Sequence, residues 1–323
     1  MARPSYLPDR FTLMLVGVVL LASLLPASGR AAAWLGVATT VAVSLLFFLH
    51  GAKLSREAIW AGIAHWRLHL LVVACTFAVF PVVGLALQPV LEPLVTPELY
   101  LGVLFLCALP ATVQSAIAFT SLARGNVPAA ICSASASTLL GIVITPLLVG
   151  ALLSKGAAAA EPWDAVGRIA LQLLLPFAAG HLLRPWIGRL LQQRAAPLKI
   201  VDQGAILLIV YVAFSHAVVE GLWKQVPMTA LAGLLVICAV LLAAVLCMTT
   251  LLARRLGFSK QDEITIVFCG SKKSLLSGVP MANVLFTAST AGAIVLPLML
   301  FHQMQLMVCA ALAQRYARRR GDS

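Results

Sequence analysis

The chain has 323 residues, 61% of them hydrophobic and only 11% charged, with a mean hydropathy of +1.00. An average soluble domain is roughly 25% charged, so this composition excludes water as the main solvent and with it a soluble enzyme. The net charge of +12 is spread over short loops instead of being gathered into a patch, so no nucleic-acid partner is expected and the charges report on topology.

A helix needs roughly 20 apolar residues to cross a bilayer. Apolar runs between charged or turn-rich breaks predict ten crossings, at 11–28, 31–50, 67–87, 99–122, 127–153, 166–188, 200–222, 227–253, 263–286 and 290–313. The first run follows Arg3 and Arg10 and ends near Pro26-Ala27-Ser28, which is also the outline of a signal peptide; ten spans account better for the loops that follow. Span two ends at His50. Span four holds Pro110 followed by Thr112, Gln114 and Ser115. Span five opens with the run Cys132-Ser133-Ala134-Ser135-Ala136-Ser137-Thr138, small residues suited to close helix contact, a minority of them candidates to line a cavity. His216 falls in span seven and His302 in span ten. For these two and His50, interhelical hydrogen bonds are expected ahead of proton transfer. Span nine holds Gly270-Ser271-Lys272-Lys273-Ser274 and Gly278-Val279-Pro280. The seven cysteines all lie in apolar runs without paired spacing, which predicts packing roles and neither disulfides nor a metal site.

Ten spans place the amino terminus, the even-numbered loops and the carboxyl tail on one side. Of the 23 lysines and arginines, 17 fall there and only Arg30, Lys155, Arg168 and Lys224 on the other; Lys272 and Lys273 lie inside span nine. The positive-inside bias therefore puts both termini in the cytoplasm. Three short matches recur in order in the two halves: Leu24-Leu25-Pro26 with Leu174-Leu175-Pro176, Phe48-x-His50 with Phe214-x-His216, and Pro146-Leu147 with Pro297-Leu298. They suggest a single transporter domain, 1–323, made of two five-helix repeats, 11–153 and 166–313. An odd helix count inserts the second repeat upside down.

Secondary transporters bind their solute near the midplane, where interrupted helices turn backbone groups and helix ends toward a cavity. The fourth span of each half has that composition. A lysine at the bilayer centre costs about 2.5–3.5 kcal/mol on the insertion scale, so two adjacent ones at Lys272 and Lys273 mark a site; the plainer reading is a shifted span whose lysines snorkel to the interface. No phosphate-binding loop, metal-binding helix or nucleophile elbow occurs in the sequence, which predicts neither an ATP-driven pump nor an enzyme.

Three strings carry a family resemblance: Phe119-Thr120-Ser121-Leu122-Ala123-Arg124-Gly125-Asn126-Val127-Pro128-Ala129-Ala130 with Ser133-Ala134-Ser135-Ala136-Ser137; Gly270-Ser271-Lys272-Lys273-Ser274 with Gly278-Val279-Pro280-Met281-Ala282; and Phe301-His302-Gln303. In these the chain resembles the bile acid:sodium symporter superfamily, in its bacterial SBF-like branch, which is related to an orphan vertebrate member. The resemblance implies an all-α integral membrane protein of ten helices in an inverted repeat, divided into panel and core domains. The broken fourth and ninth helices would cross, and access would alternate by movement of one domain against the other. Sodium-coupled members carry an acid and two amides at the ninth-helix break and a glutamine in the third helix. Here those positions hold Phe268, Lys272, Lys273 and Thr76 ahead of Pro81. A hard cation favours oxygen ligands, so the usual sodium sites are expected to be lost.

The leading expectation is a secondary transporter of a small organic, anionic solute in the bacterial inner (plasma) membrane. Its solute- or ion-binding candidates are Thr112, Gln114, Ser115, Ser133, Ser271, Lys272, Lys273 and Ser274, with no metal and no cofactor beyond sodium or a proton as coupling ion. The lysines could replace bound sodium, pair the anionic solute or carry the coupling proton. The alternative is a membrane regulator of ion or envelope homeostasis that turns over no solute. Neither the solute nor the oligomeric state is set by the sequence.

Overall fold

The computed structural model describes residues 10–53, 65–153, 170–219 and 221–318. They are about 89% helical, with no strand among the described residues. Helix α1 is Arg10–Leu24 and α2 Gly29–Lys53. Helix α3, Trp66–Ala74, runs through a π-helical turn, Cys75–Val79, into α4, Phe80–Leu91. Then come α5 Pro97–Ala108, α6 Gln114–Leu122 and α7 Val127–Leu153. A second π turn, Ala170–Leu174, leads into α8, Leu175–Gln193, followed by α9 Ala195–Val219, the short α10 Leu222–Gln225, α11 Met228–Arg255, α12 Lys260–Gly270, α13 Leu275–Leu285 and α14 Ala288–Arg318. Among the described residues, six helices are long and apolar enough to cross a membrane, including Gly29–Lys53, Met228–Arg255 and Ser289–Arg318.

Helix covers most of the described part of every apolar run, with run one ending early at Leu24, run four interrupted after α5 and run nine after α12. Arg3, Arg56, Lys155, Arg168, Arg319 and Arg320, and the first residues of run 166–188, lie outside the described residues. Of the three internal matches, two occupy comparable places: Phe48-x-His50 and Phe214-x-His216 each near a helix end, and Pro146 and Pro297 inside α7 and α14. The third does not. Leu24-Leu25-Pro26 closes α1, whereas Leu174-Leu175-Pro176 opens α8, so that match has no equivalence in place.

Local chemistry sets the ends that matter. Thr96 caps α5, its hydroxyl accepting from Leu99 N, with Pro97 at the first position and Glu98 in the first turn. Ser259 caps α12 in the same way by accepting from Asp262 N, and Asp262 and Glu263 complement the positive end of that helix. Glu263 also gathers Arg254, Lys260 and the Tyr316 hydroxyl, tying the starts of α12 and the ends of α11 and α14 together. Helix α1 is held to the body by Tyr211 Oη donating to Leu25 O and Trp223 Nε1 donating to Ser23 Oγ, at 2.8 and 2.9 Å.

Helices α2 and α8 approach each other backbone to backbone at two glycines. A Cβ added at Gly51 would stand 2.0 Å from Phe177 O, and one added at Gly180 would stand 2.0 Å from Phe48 O. The contact is reciprocal, and small residues are what let membrane helices meet this closely. Six cysteines are buried in the packing and Cys247 is exposed; all are free thiols.

Candidate functional site

The two interruptions cross. Helix α5 ends at Ala108 and α6 begins at Gln114; α12 ends at Gly270 and α13 begins at Leu275. Ser274 N donates to Pro110 O at 2.9 Å, joining the breaks directly. Pro110 packs over Gly141 of α7, where a Cβ would meet the proline ring at 2.7 Å.

An interrupted helix strands backbone carbonyls, and in a dry interior each needs a donor. Ala108 O accepts from Thr145 Oγ1 at 2.8 Å, and Ala111 N donates to Ser137 Oγ at 2.9 Å. That bond removes the helical donor for Cys107 O. Leu109 O lies past the helix end. A third stranded carbonyl belongs to Thr76 in the first π turn. Its α-helical donor, Phe80 N–H, is spent on Cys75 O, and its π-helical donor would be residue 81, a proline with no N–H. The Lys273 ammonium fills all three vacancies, donating to Thr76 O, Cys107 O and Leu109 O at 2.7, 2.8 and 2.7 Å. It also stands 4.1 Å from the Phe80 ring centroid.

Lys272 is placed differently. Its ammonium donates to Ser115 O at 2.8 Å and lies 3.9 Å from the centroid of Phe119 and 5.4 Å from that of Phe268. Rings present their negative faces to cations, so Phe119 and Phe268 form an aromatic wall beside this one. Both lysines are 0% exposed, which does not match the snorkelling arrangement, and among the described residues no carboxylate pairs with either.

Gln305 of α14 clasps the break, its Oε1 accepting from Lys273 N and its Nε2 donating to Lys273 O, each at 2.9 Å. Gln305→Leu leaves both backbone groups buried without partners, at roughly 1–3 kcal/mol each. Denaturant titration of the purified variant should show a loss of that order. A loss below about 1 kcal/mol would show that the clasp is dispensable.

The other candidates divide. Thr112 and Ser115 pair through their hydroxyls at 2.8 Å, and Gln114 is exposed beside them. Both lysine ammonium groups meet backbone oxygens, not the side-chain oxygens of Thr112, Gln114 or Ser115. Ser274 caps α13. Ser271 Oγ donates back to Val267 O at 2.6 Å, and buried Ser133 pairs with His69 Nδ1 at 2.7 Å, so the polar groups of these two serines are turned to their own surroundings. Of the small-residue run, Ser135 and Thr138 line a cavity. Among the histidines, His50 Nδ1 is buried without a hydrogen-bond partner among the described residues, against the interhelical bond expected of it.

Two cavities flank the crossing, with about 780 and 750 Å³ of empty space including their mouths. Val113, Gln114, Asp202 and Leu276 wall both. Lys53 lines the first and donates to Asp202 Oδ2 at 2.5 Å. Sequence reasoning passed over this pair, although an acid inside span seven was a signal in itself.

Apolar helices around two interrupted segments that cross at buried charge define a membrane transporter. The SBF-like CPA transporter family model matches residues 9–318, and the chain belongs to that family, a transporter group of the bile acid:sodium symporter type. It is 66% identical to an uncharacterised protein of Pseudomonas aeruginosa, over 100% of this chain and 97% of that one. It is 57% identical to "Putative symporter YfeH" of Escherichia coli K12, over 96% and 93%. It is 28% identical to sodium/bile acid cotransporter 7 of Mus musculus, over 84% and 81%.

Proposed function

We propose that the protein is a secondary transporter of a small organic anion that works by alternating access, and that Lys273, with Lys272 beside it, is a built-in cation where relatives bind sodium. The observation that carries this reading is the Lys273 ammonium inside three carbonyl oxygens at 2.7–2.8 Å. Oxygen ligands of that kind suit a small hard cation, and a tethered ammonium supplies the charge without dissociating. In this reading the chain forms ten spans in two inverted repeats, 11–153 and 166–313, arranged as panel and core domains. It lies in the bacterial inner membrane with both termini cytoplasmic, as the loop charges favour. Thr112, Gln114, Ser115 and Ser274 surround the crossing, where the solute binds.

Uptake by reconstituted vesicles tests this reading. Across a panel of labelled organic anions, at least one is accumulated, and replacing sodium by choline changes its rate less than about twofold. Lys272→Met leaves the protein folded and lowers the rate by about tenfold or more, because a charge at an interrupted helix is held for function. Accumulation that disappears without sodium overturns the built-in cation. Absence of any uptake favours the regulator that moves no solute.

A further inference from the structure

The lysines of the crossing are committed to carbonyls and rings, and neither is among the residues lining the two cavities beside it. Among the described residues that line the two cavities, Lys53 is the one lysine or arginine and Asp202 the one carboxylate. The Lys53 side chain is 36% exposed, whereas the Asp202 side chain is 9% exposed. Only one oxygen of Asp202 is used: Oδ2 accepts from Lys53, while Oδ1 is buried without a hydrogen-bond partner among the described residues. His50, one turn before Lys53 on α2, presents a second unpartnered atom, Nδ1. The other charged or titratable groups on elements packed against this part of α9 are His302 of α14 and His181 and Arg184 of α8. Helix α13 and the described side chains of α1 carry none.

An anion entering the first cavity meets one ammonium, and that ammonium is already paired. To bind, the anion must draw Lys53 away from Asp202. The carboxylate left behind is buried without its counter-charge, a state that burial strongly disfavours and that a proton relieves. We propose that Lys53 and Asp202 form an exchange site for a small organic monoanion and a proton. The anion takes the Lys53 ion pair, Asp202 takes up one proton, and the solute's single negative charge is balanced by the proton's positive one. One anion and one proton then cross together without net charge movement. His50 stands within the same cavity wall to pass the proton to Asp202. The proposal names the solute class and coupling ion of the transporter reading above and rests on it.

The experiment uses the full chain in lipid nanodiscs with acetate, benzoate and methanesulfonate as probe anions, each titrated at about pH 5.5 and about pH 8 with binding read by thermal shift. In the parent, at least one probe binds about tenfold more tightly at the lower pH, because binding carries proton uptake. Asp202→Asn removes the need for the proton, so the same probe binds at least as tightly and equally at both pH values. Lys53→Met abolishes binding, and Lys53→Arg, which keeps the pair, retains binding and its pH dependence, so the site stays testable if Asp202→Asn fails to fold. Binding independent of pH in the parent, binding that survives Lys53→Met, or no binding of any probe to either the parent or Asp202→Asn overturns the proposal. Linked binding without accumulation in vesicles under an imposed pH gradient would uphold the site and refute the transporter reading, which separates the two failures.

Discussion

Replacing Lys273 by alanine makes the protein's stability depend on sodium. The substitution removes the donor from Thr76 O, Cys107 O and Leu109 O together. A buried carbonyl without a donor costs roughly 1–3 kcal/mol, and the lost stem adds a cavity. Against this stands the relief of no longer burying an ammonium. The balance in choline buffer is a loss of about 3 kcal/mol or more. Three carbonyl oxygens around a space once filled by Nζ are a ready site for a hard cation. Titrated sodium restores stability along a saturating curve, by about 2.7 kcal/mol at a hundred times its dissociation constant, while bulky choline does not. The parent responds to neither salt beyond ionic strength. Equal destabilisation of the variant in sodium and in choline would show that the ammonium is a structural donor and does not stand for a coupling ion.

Gly51→Ala, like Gly180→Ala across the same contact, should be among the most damaging single-methyl changes at the described glycines. The new Cβ falls 2.0 Å from Phe177 O, 2.8 Å from Phe177 C and 3.1 Å from His181 N. None of these is the end of a side chain that can turn aside. Relief requires α2 and α8 to separate, which disturbs the packing of Phe47 and Phe177 behind the contact. Overpacking typically costs about 1–3 kcal/mol and occasionally more, and a backbone collision belongs at the upper end. Folded yield and unfolding midpoint in detergent measure it. Gly150→Ala, where an added Cβ meets nothing within 4 Å, is the matched control, and similar losses in the two variants would show that the close approach is unimportant.

The helices and their breaks were legible because lipid enforces a simple code. Long apolar runs become helices, and a proline with polar followers, or two lysines in an apolar run, point to an interruption ahead of a plain kink or a shifted span. Individual partners were not legible. Nothing in the residue order shows that a π turn and Pro81 together free Thr76 O, since that vacancy depends on which N–H each carbonyl actually reaches. The serines at 271 and 133 looked like site residues by composition, but a hydroxyl in a helix readily donates to the carbonyl one turn back, as Ser271 does. Gln305 sits two residues beyond a recognisable string with no spacing to tie it to Lys273. Asp202 was within reach, because a carboxylate inside an apolar run is a signal by default. It was masked by its position near the start of a run, beside the basic loop that dominates the charge pattern.

The carbonyls stranded in the first π turn and beyond the end of α5 have a consequence in time. Their donor is not yet made when they enter the membrane: Leu109 O waits 164 residues and Thr76 O waits 197 for the Lys273 side chain. At a synthesis rate of about 5–20 residues per second, the first half of the chain spends on the order of ten seconds or longer in the bilayer with an unfinished interior. The insertion machinery must shelter that half until the second arrives, and a gene cut between the halves should yield fragments that are unstable apart and recover when they are made together.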